Sequence, residues 1–320
     1  MHIVVPDDFP PTYGSLEQVD LQRLAPYGTI SLHTTRAADR AELFERLRDA
    51  EAIINVRAYT LLDDEAMSMA PQLRLISILG TGTDNVDLEA AKRRGIVVTN
   101  TPGTGAVSVA ELTLGLLLAV VRAIPTSHTN LQGGYWHHIE GQELDGKTLG
   151  ILGLGAIGTR MVRLGQGLGM AVIAWSMHDD PERAARLGVE LVSKNDLFRQ
   201  ADVVSVHLRN TPQARGFVGA RELALMKPTA ILLNTARAAL VDQDALVAAL
   251  RGGHLAGAGI DVYLEEPLPK ARNPFTDMPN VVLTPHVGAV THEANIRSRA
   301  MPVDNIIAFL EGHPEHVVNS

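Results

Sequence analysis

The chain has 320 residues, with 28 Lys plus Arg against 36 Asp plus Glu, a formal charge of −8 and no Cys. That length implies about two domains, each able to bury a core, and the missing thiols exclude a disulfide framework, a Cys nucleophile, thiolate zinc sites and iron–sulfur clusters. The acidic balance and an aromatic share of 4% argue against nucleic-acid binding, which needs clustered cations and stacking rings.

The N-terminus, MHIVVPDDFP, has neither the basic nor the long apolar stretch of a signal peptide. HIVV at His2–Val5, AIIN at Ala52–Asn55 and LRLISIL at 73–79 read as buried strands, with an amphipathic helix over 38–48. The nearly apolar segment 105–122 reads as a helix that is deeply buried, part of a dimer contact, or both. Its most apolar portion, 112–121, is far shorter than the ~20 residues a membrane span needs. A soluble, cytoplasmic protein with no membrane partner is therefore expected. A second series follows, with strand-like pieces TLGIL (Thr148–Leu152), AVIAW (Ala171–Trp175), VVSVHL (203–208), AILLN (230–234), AGAGIDV (256–262) and VVLTP (281–285). Helical patterns over 157–168, 196–201 and 243–250 separate them, and a last helix spans 291–310. Such alternation predicts parallel sheets flanked by helices. Two series without a flexible linker predict two α/β domains sharing the long helices; if the last helix packs on the first domain, the second is an insertion within it.

LGILGLGAIG places Gly153, Gly155 and Gly158 in G-x-G-x-x-G spacing between a strand and a helix. The first glycine permits a tight turn, the second lets the backbone approach a pyrophosphate, and the third lets helix and strand pack closely. The helix N-terminus at Ala156 and Ile157 offers N–H groups to phosphate. The bland alternative is a strand–helix turn with no ligand; the strand before and the helix and strand after favour a dinucleotide. An acid that reads the ribose diol belongs at the end of the next strand. Ser176 stands there, followed by Met177, His178, Asp179 and Asp180, and the nearest cation for a 2′-phosphate is Arg183. Two Asp and no adjacent cation favour NAD, with NADP left open.

Arg237 in NTARAALVD, Glu266 in DVYLEEP and His286 in TPHVG each follow a strand, and open parallel sheets bind ligands outside the carboxyl ends of their strands. Singly, Arg237 reads equally well as a helix cap or a partner of Asp242, Glu266 as half of a solvated pair with Glu265, and His286 as one of 12 histidines. Together they match hydride transfer to a keto acid. The substrate carboxylate needs a bidentate cation, the developing alkoxide a proton donor working near neutral pH, and the imidazolium a carboxylate that orients it. Tyr135, Trp136, His137 and His138 form a conspicuous cluster. A metal there would need a third ligand, and the plainer reading is a loop packing near the domain interface. His292-Glu293 lacks the second His of a zinc-protease helix, and no G-x-S-x-G elbow is present.

LGTGTDNVDLEAAKRRGIVVTNTPG, GLGAIG, NTARAALVD, DVYLEEPLP and TPHVG, in this order, resemble segments of the D-isomer-specific 2-hydroxyacid dehydrogenase family, of the phosphoglycerate dehydrogenase and glyoxylate/hydroxypyruvate reductase type. The resemblance covers most of the chain. It implies two doubly wound parallel-sheet α/β domains, a Rossmann NAD(P)-binding domain (102–288) inserted into a flavodoxin-like substrate domain (1–101 and 289–320). It implies a homodimeric oxidoreductase that moves a hydride between NAD(P)(H) and a small 2-keto or 2-hydroxy acid, without a metal. Arg237 would hold the substrate carboxylate, His286 would be the acid/base and Glu266 its partner. Thr81 and Gly82 would contact substrate; Gly153, Gly155, Ala156, Ile157, Gly158, Ser176, Thr235, Asp261 and Gly288 would contact cofactor. Ala238 replaces a usual Gly, which costs about 1 kcal/mol if that position needs φ > 0. Arg209 replaces a frequent Pro and Ser176 a usual Asp. Glu266 rather than Gln disfavours the formate dehydrogenase branch, and the end at Ser320 leaves no room for a C-terminal regulatory domain. The rival is a non-enzymatic, corepressor-like NAD(H) sensor, against which the complete Arg237, Glu266 and His286 set counts.

Overall fold

A computed structural model describes residues 1–56, 60–177 and 180–320, so His178 and Asp179 lie outside the described residues. The chain divides into two compact units, Met1–Thr104 with Thr291–Ser320, and Gly105–Val290.

The first unit is built on β1 (His2–Val5), β2 (Thr29–Leu32), β3 (Ala52–Asn55), β4 (Leu75–Ile78) and β5 (Val97–Thr99), all parallel in the order β2-β1-β3-β4-β5. That is the flavodoxin-like winding. β3 and β4 are buried along their whole length, as a continuous apolar run in a central parallel strand requires. The C-terminal helix His292–Leu310 starts at Thr291, whose hydroxyl accepts the Ala294 N–H. It belongs to this unit: Val303 and Ile306 enter the core with Ile3, Ile54 and Leu75. The buried Ser77 hydroxyl on β4 donates to the Pro302 carbonyl at 3.1 Å, and Asn305 donates to the Asn100 carbonyl at 3.0 Å.

The second unit carries β6 (Thr148–Leu152), β7 (Ala171–Trp175), β8 (Glu190–Leu191), β9 (Val203–Val206), β10 (Ile231–Asn234), β11 (Gly257–Ile260) and β12 (Val281–Leu283). They form one parallel sheet in the order β12-β11-β10-β9-β6-β7-β8. The winding reverses between β6 and β9, so this unit has its switch-point crevice at the carboxyl ends of those two strands. Helix Ala106–Val121 covers β10, β11 and β12 and buries Ala110, Thr113, Leu116 and Leu117. Glycines in β11 permit that approach: a Cβ on Gly257 would stand 2.7 Å from Val120, and one on Gly259 would stand 2.9 Å from Leu116. The chain then bends by 63° into helix Ile124–Gln132, and no single helix among the described residues is long and apolar enough to cross a membrane. The expected packed loop at 135–138 differs: Tyr135 and Trp136 are 71% and 80% exposed, and Trp136 Nε1 donates to His138 Nε2 at 3.1 Å.

Candidate active site

The glycine turn joins β6 to helix Ala156–Gly167. Gly153 has φ +99°, and a Cβ there would stand 2.8 Å from the His207 carbonyl oxygen; a Cβ on Gly158 would stand 2.0 Å from the Gly153 oxygen. Both positions therefore exclude a side chain. Gly155 is the opposite case, exposed with nothing within 4 Å of its Cβ position. It is the helix N-cap and supplies no capping side chain, so the first-turn N–H groups at Ala156, Ile157 and Gly158 are left for an outside acceptor. An open backbone surface at a helix N-terminus suits a pyrophosphate; the residues present fit a dinucleotide. Ser176 sits half-buried just past β7. Arg183 reaches back from the helix Pro181–Leu187 and donates from Nη2 to Thr159 Oγ1 on the glycine-turn helix at 2.9 Å.

At the carboxyl ends of β10, β11 and β12 the other named side chains gather. His286 Nδ1 is 2.6 Å from Glu266 Oε2, and the other Glu266 oxygen accepts the Tyr263 N–H at 2.9 Å. Burial pushes the Glu266 carboxyl up, but the His286 hydrogen bond, the Tyr263 N–H and the positive charges of His286 and Arg237 outweigh it and hold the group below the usual carboxylate range. Arg237 thus lies close enough for its charge to act on the pair. The acidic doublet is split, since Glu265 goes instead to Arg272 at 2.6 Å. Asp242 caps helix Gln243–Arg251 through the Ala245 N–H.

His286 adopts φ +53°, a left-handed conformation that costs a non-glycine residue about 1 kcal/mol or more. Asp261, buried at the end of β11, holds it there. Its Oδ1 accepts the Thr284 hydroxyl at 2.6 Å and the Val287 N–H at 2.9 Å, and its Oδ2 accepts the Gly288 N–H at 2.9 Å. Tyr263 adds a hydroxyl donated to the Thr284 carbonyl at 2.9 Å; burial first, then the charges of Asp261 and Glu266, pushes its phenol up to about 12, so it remains a neutral donor. Asn234, buried at the end of β10, braces the arginine loop by donating to the Arg237 carbonyl at 3.0 Å and accepting the Ala236 N–H at 3.1 Å. Thr235 shares a 2.7 Å hydrogen bond with Thr113. Ala238 opens a 3-10 turn and is not among the positive-φ residues, so the left-handed cost raised for that position does not arise.

The sequence alone did not mark Asn234, Tyr263 and Thr284 as parts of the site, although each sits in or beside a motif it did mark. It also passed over His207, just past β9, which shares a 2.7 Å hydrogen bond with Ser205 through Nε2 while its buried Nδ1 has no partner among the described residues. In the first unit, Thr81 and Gly82 lie in the loop after β4. The Thr81 carbonyl accepts Asn100 Nδ2 at 2.8 Å, its hydroxyl donates to the Thr101 carbonyl at 3.3 Å, and Gly80 N–H donates to Thr101 Oγ1 at 2.7 Å. That loop is pinned to the end of β5 while the Thr81 side remains exposed. Among the described residues no group of three or more His, Asp or Glu side chains could hold a metal ion.

Residues 114–288 match the profile described as D-isomer specific 2-hydroxyacid dehydrogenase, NAD binding domain. The chain is 42% identical over 291 residues to the glyoxylate reductase of Aeropyrum pernix, covering 87% of this chain and 85% of that one. It is 41% identical over 284 residues to the D-3-phosphoglycerate dehydrogenase of Methanocaldococcus jannaschii, covering 88% of this chain but 54% of that longer one. Among solved structures, D-lactate dehydrogenase from Aquifex aeolicus complexed with NAD and lactic acid superposes with a TM-score of 0.88 at 26% identity, covering 100% of this chain and 99% of that one.

Proposed function

The chain belongs to the D-isomer-specific 2-hydroxyacid dehydrogenase family, and from that premise we propose that it is an NAD(P)-dependent reductase of small 2-keto acids, forming D-2-hydroxy acids and running the reverse oxidation. The 2.6 Å His286–Glu266 hydrogen bond within the field of Arg237 carries this reading. When bound, the reduced nicotinamide supplies the hydride to the carbonyl carbon, and the oxygen takes up one proton. His286 gives that proton. Glu266 occupies its Nδ1, which fixes the ring and leaves Nε2 for the carbonyl oxygen. Arg237 presents a planar pair of donors to the substrate carboxylate. Thr81 and Gly82 of the first unit are assigned as further substrate contacts. The N–H groups of Ala156 and Ile157 hold the pyrophosphate beside Gly153, Gly155 and Gly158, and Ser176, Thr235, Asp261 and Gly288 line the rest of the cofactor. A metal-independent homodimer in the cytoplasm completes the proposal; the exposed Ile124, Leu131, Tyr135 and Trp136 suit a contact between copies, which sedimentation would test.

The decisive experiment follows reduced-nicotinamide absorbance with glyoxylate, hydroxypyruvate and pyruvate, using NADH and NADPH in parallel. Turnover in the wild type, cut by about 10²–10⁴-fold in His286→Gln with nucleotide affinity retained, is expected. Near-normal turnover in His286→Gln would remove the mechanism. Tight nucleotide binding with no turnover on any keto acid would return the chain to the sensor reading.

A further inference from the structure

We propose that Thr284 is a positioning residue of this site, which sets His286 after one strand in register with Glu266 after the next. The inference rests on the reading above, since it concerns how the His286–Glu266 pair is held for proton transfer.

The two members of the pair come from different segments. Glu266 follows β11 and His286 follows β12, strands that pair over the short stretch from Ala258 with Val281 to Ile260 with Leu283. Past Leu283 their register depends on single contacts, and Thr284 makes three of them with its three polar groups. Its N–H donates to the Ile260 carbonyl at 3.0 Å. Its hydroxyl donates to Asp261 Oδ1 at 2.6 Å, and its carbonyl accepts the Tyr263 hydroxyl at 2.9 Å. All three partners lie on the segment that carries Glu266, and Tyr263 reaches Glu266 directly through its own N–H.

On the other side, Thr284 holds His286 itself. The His286 N–H donates back to the Thr284 carbonyl at 3.0 Å, closing a three-residue turn around Pro285. Proline suits the centre of such a turn because its ring fixes φ near about −65°. The imidazole therefore leaves the turn in a direction set by the Thr284 carbonyl. The same carbonyl serves His286 and Tyr263, so one residue ties the acid/base to the segment of its partner.

Removing the Thr284 hydroxyl separates positioning from folding. In Thr284→Val, Asp261 Oδ1 still accepts the Val287 N–H at 2.9 Å, and no buried donor is left without an acceptor. The turn loses one of its ties and the core loses nothing. Burial pushes the Glu266 carboxyl up, and the His286 hydrogen bond leads the contacts that hold it below the usual carboxylate range. A slackened turn weakens that bond, so the carboxyl moves upward and the ring is released at a higher pH.

The test measures kcat and KM for keto acid against pH, urea unfolding, and the NMR signal of the His286 Nδ1 proton in isotope-labelled protein. His286→Gln identifies that signal by its disappearance. Thr284→Val is expected to lose at least about tenfold in kcat, with the urea midpoint, KM and nucleotide affinity close to wild type. The acid limb of kcat/KM should move to higher pH and the Nδ1 proton signal should shift. Thr284→Ser keeps the hydroxyl and should restore most of the lost kcat. Wild-type kcat in Thr284→Val, or a loss that leaves the acid limb and the proton signal unmoved, would overturn the positioning role while the dehydrogenase reading stands. Absence of turnover in the wild type, or near-normal turnover in His286→Gln, would take down that reading and this inference with it.

Discussion

His286 keeps its imidazole on a left-handed backbone, and Asp261 supplies the restraint with three hydrogen bonds to the residues around it. Asp261→Asn turns one acceptor into a donor facing an N–H, and each buried donor left without an acceptor costs about 1–3 kcal/mol. Urea unfolding should register a loss of that order, with turnover reduced alongside it as the His286 ring loses its place. If Glu266 orients the His286 ring as proposed, Glu266→Gln keeps the shape but removes the charge, and kcat should fall about 10²-fold with little change in stability. Arg237→Lys keeps the charge but not the planar fork, so the KM for keto acid should rise about tenfold while nucleotide affinity stays unchanged. His207 offers a test by pH. Burial pushes its imidazole from 6.5 down to about 3, so the folded chain keeps it neutral while the unfolded chain protonates it near 6.5. The stability it contributes is complete above pH 6.5 and is lost as pH falls from there toward 3, by at most about 1.4 kcal/mol per pH unit. The urea midpoint measured downward from pH 6.5 should decline less steeply in His207→Gln than in the wild type.

At the scale of the element, the glycine turn separates packing from binding. A methyl on Gly158 would stand 2.0 Å from the Gly153 oxygen, whereas one on Gly155 meets nothing within 4 Å. Gly158→Ala must therefore push the helix off its strand, at about 2–3 kcal/mol, and weaken nucleotide binding as a consequence. Gly155→Ala should leave the unfolding curve within about 0.5 kcal/mol of wild type and still lose at least about tenfold in nucleotide affinity, because the methyl occupies the approach to the pyrophosphate. Wild-type affinity in Gly155→Ala would remove the pyrophosphate from this turn. The same elements show what a sequence makes legible. β3, β4, β6, β9 and β10 are buried throughout or nearly so and read as unbroken apolar runs. β2 never sinks below half-buried, β5 has three residues and β8 two, so none of these leaves a periodic signal. The meeting of Arg237, Glu266 and His286 was legible because each follows a strand and parallel strands deliver their ends to one edge. The Asp261 clasp and the Arg183–Thr159 bond were not, because side chains 23 to 27 residues apart make them and no local pattern encodes that meeting.

Over the whole molecule, the two units differ in how the chain supplies them. Gly105–Val290 is unbroken, and both of its apolar clusters, one around Phe198 and Leu232 and one around Leu149 and Leu233, draw only on residues of that stretch. The first unit is assembled from two stretches, and its core around Ile3, Ile54 and Leu75 needs Val303 and Ile306 from the far end of the sequence. Each of those side chains contributes about 2–3 kcal/mol by burial, a large part of a net stability of about 5–15 kcal/mol. Residues 105–290 expressed alone should therefore unfold cooperatively and bind dinucleotide with near-native affinity. Residues 1–104 alone should bind hydrophobic dye and lack a cooperative transition, which rejoining 291–320 through a flexible linker should restore. If Thr81 and Gly82 contact substrate as proposed, the isolated 105–290 should fail to reduce keto acids although it keeps Arg237, Glu266 and His286. If that fragment matched the whole chain in kcat/KM, Thr81 and Gly82 would have no part in substrate binding, and the first unit would need another role.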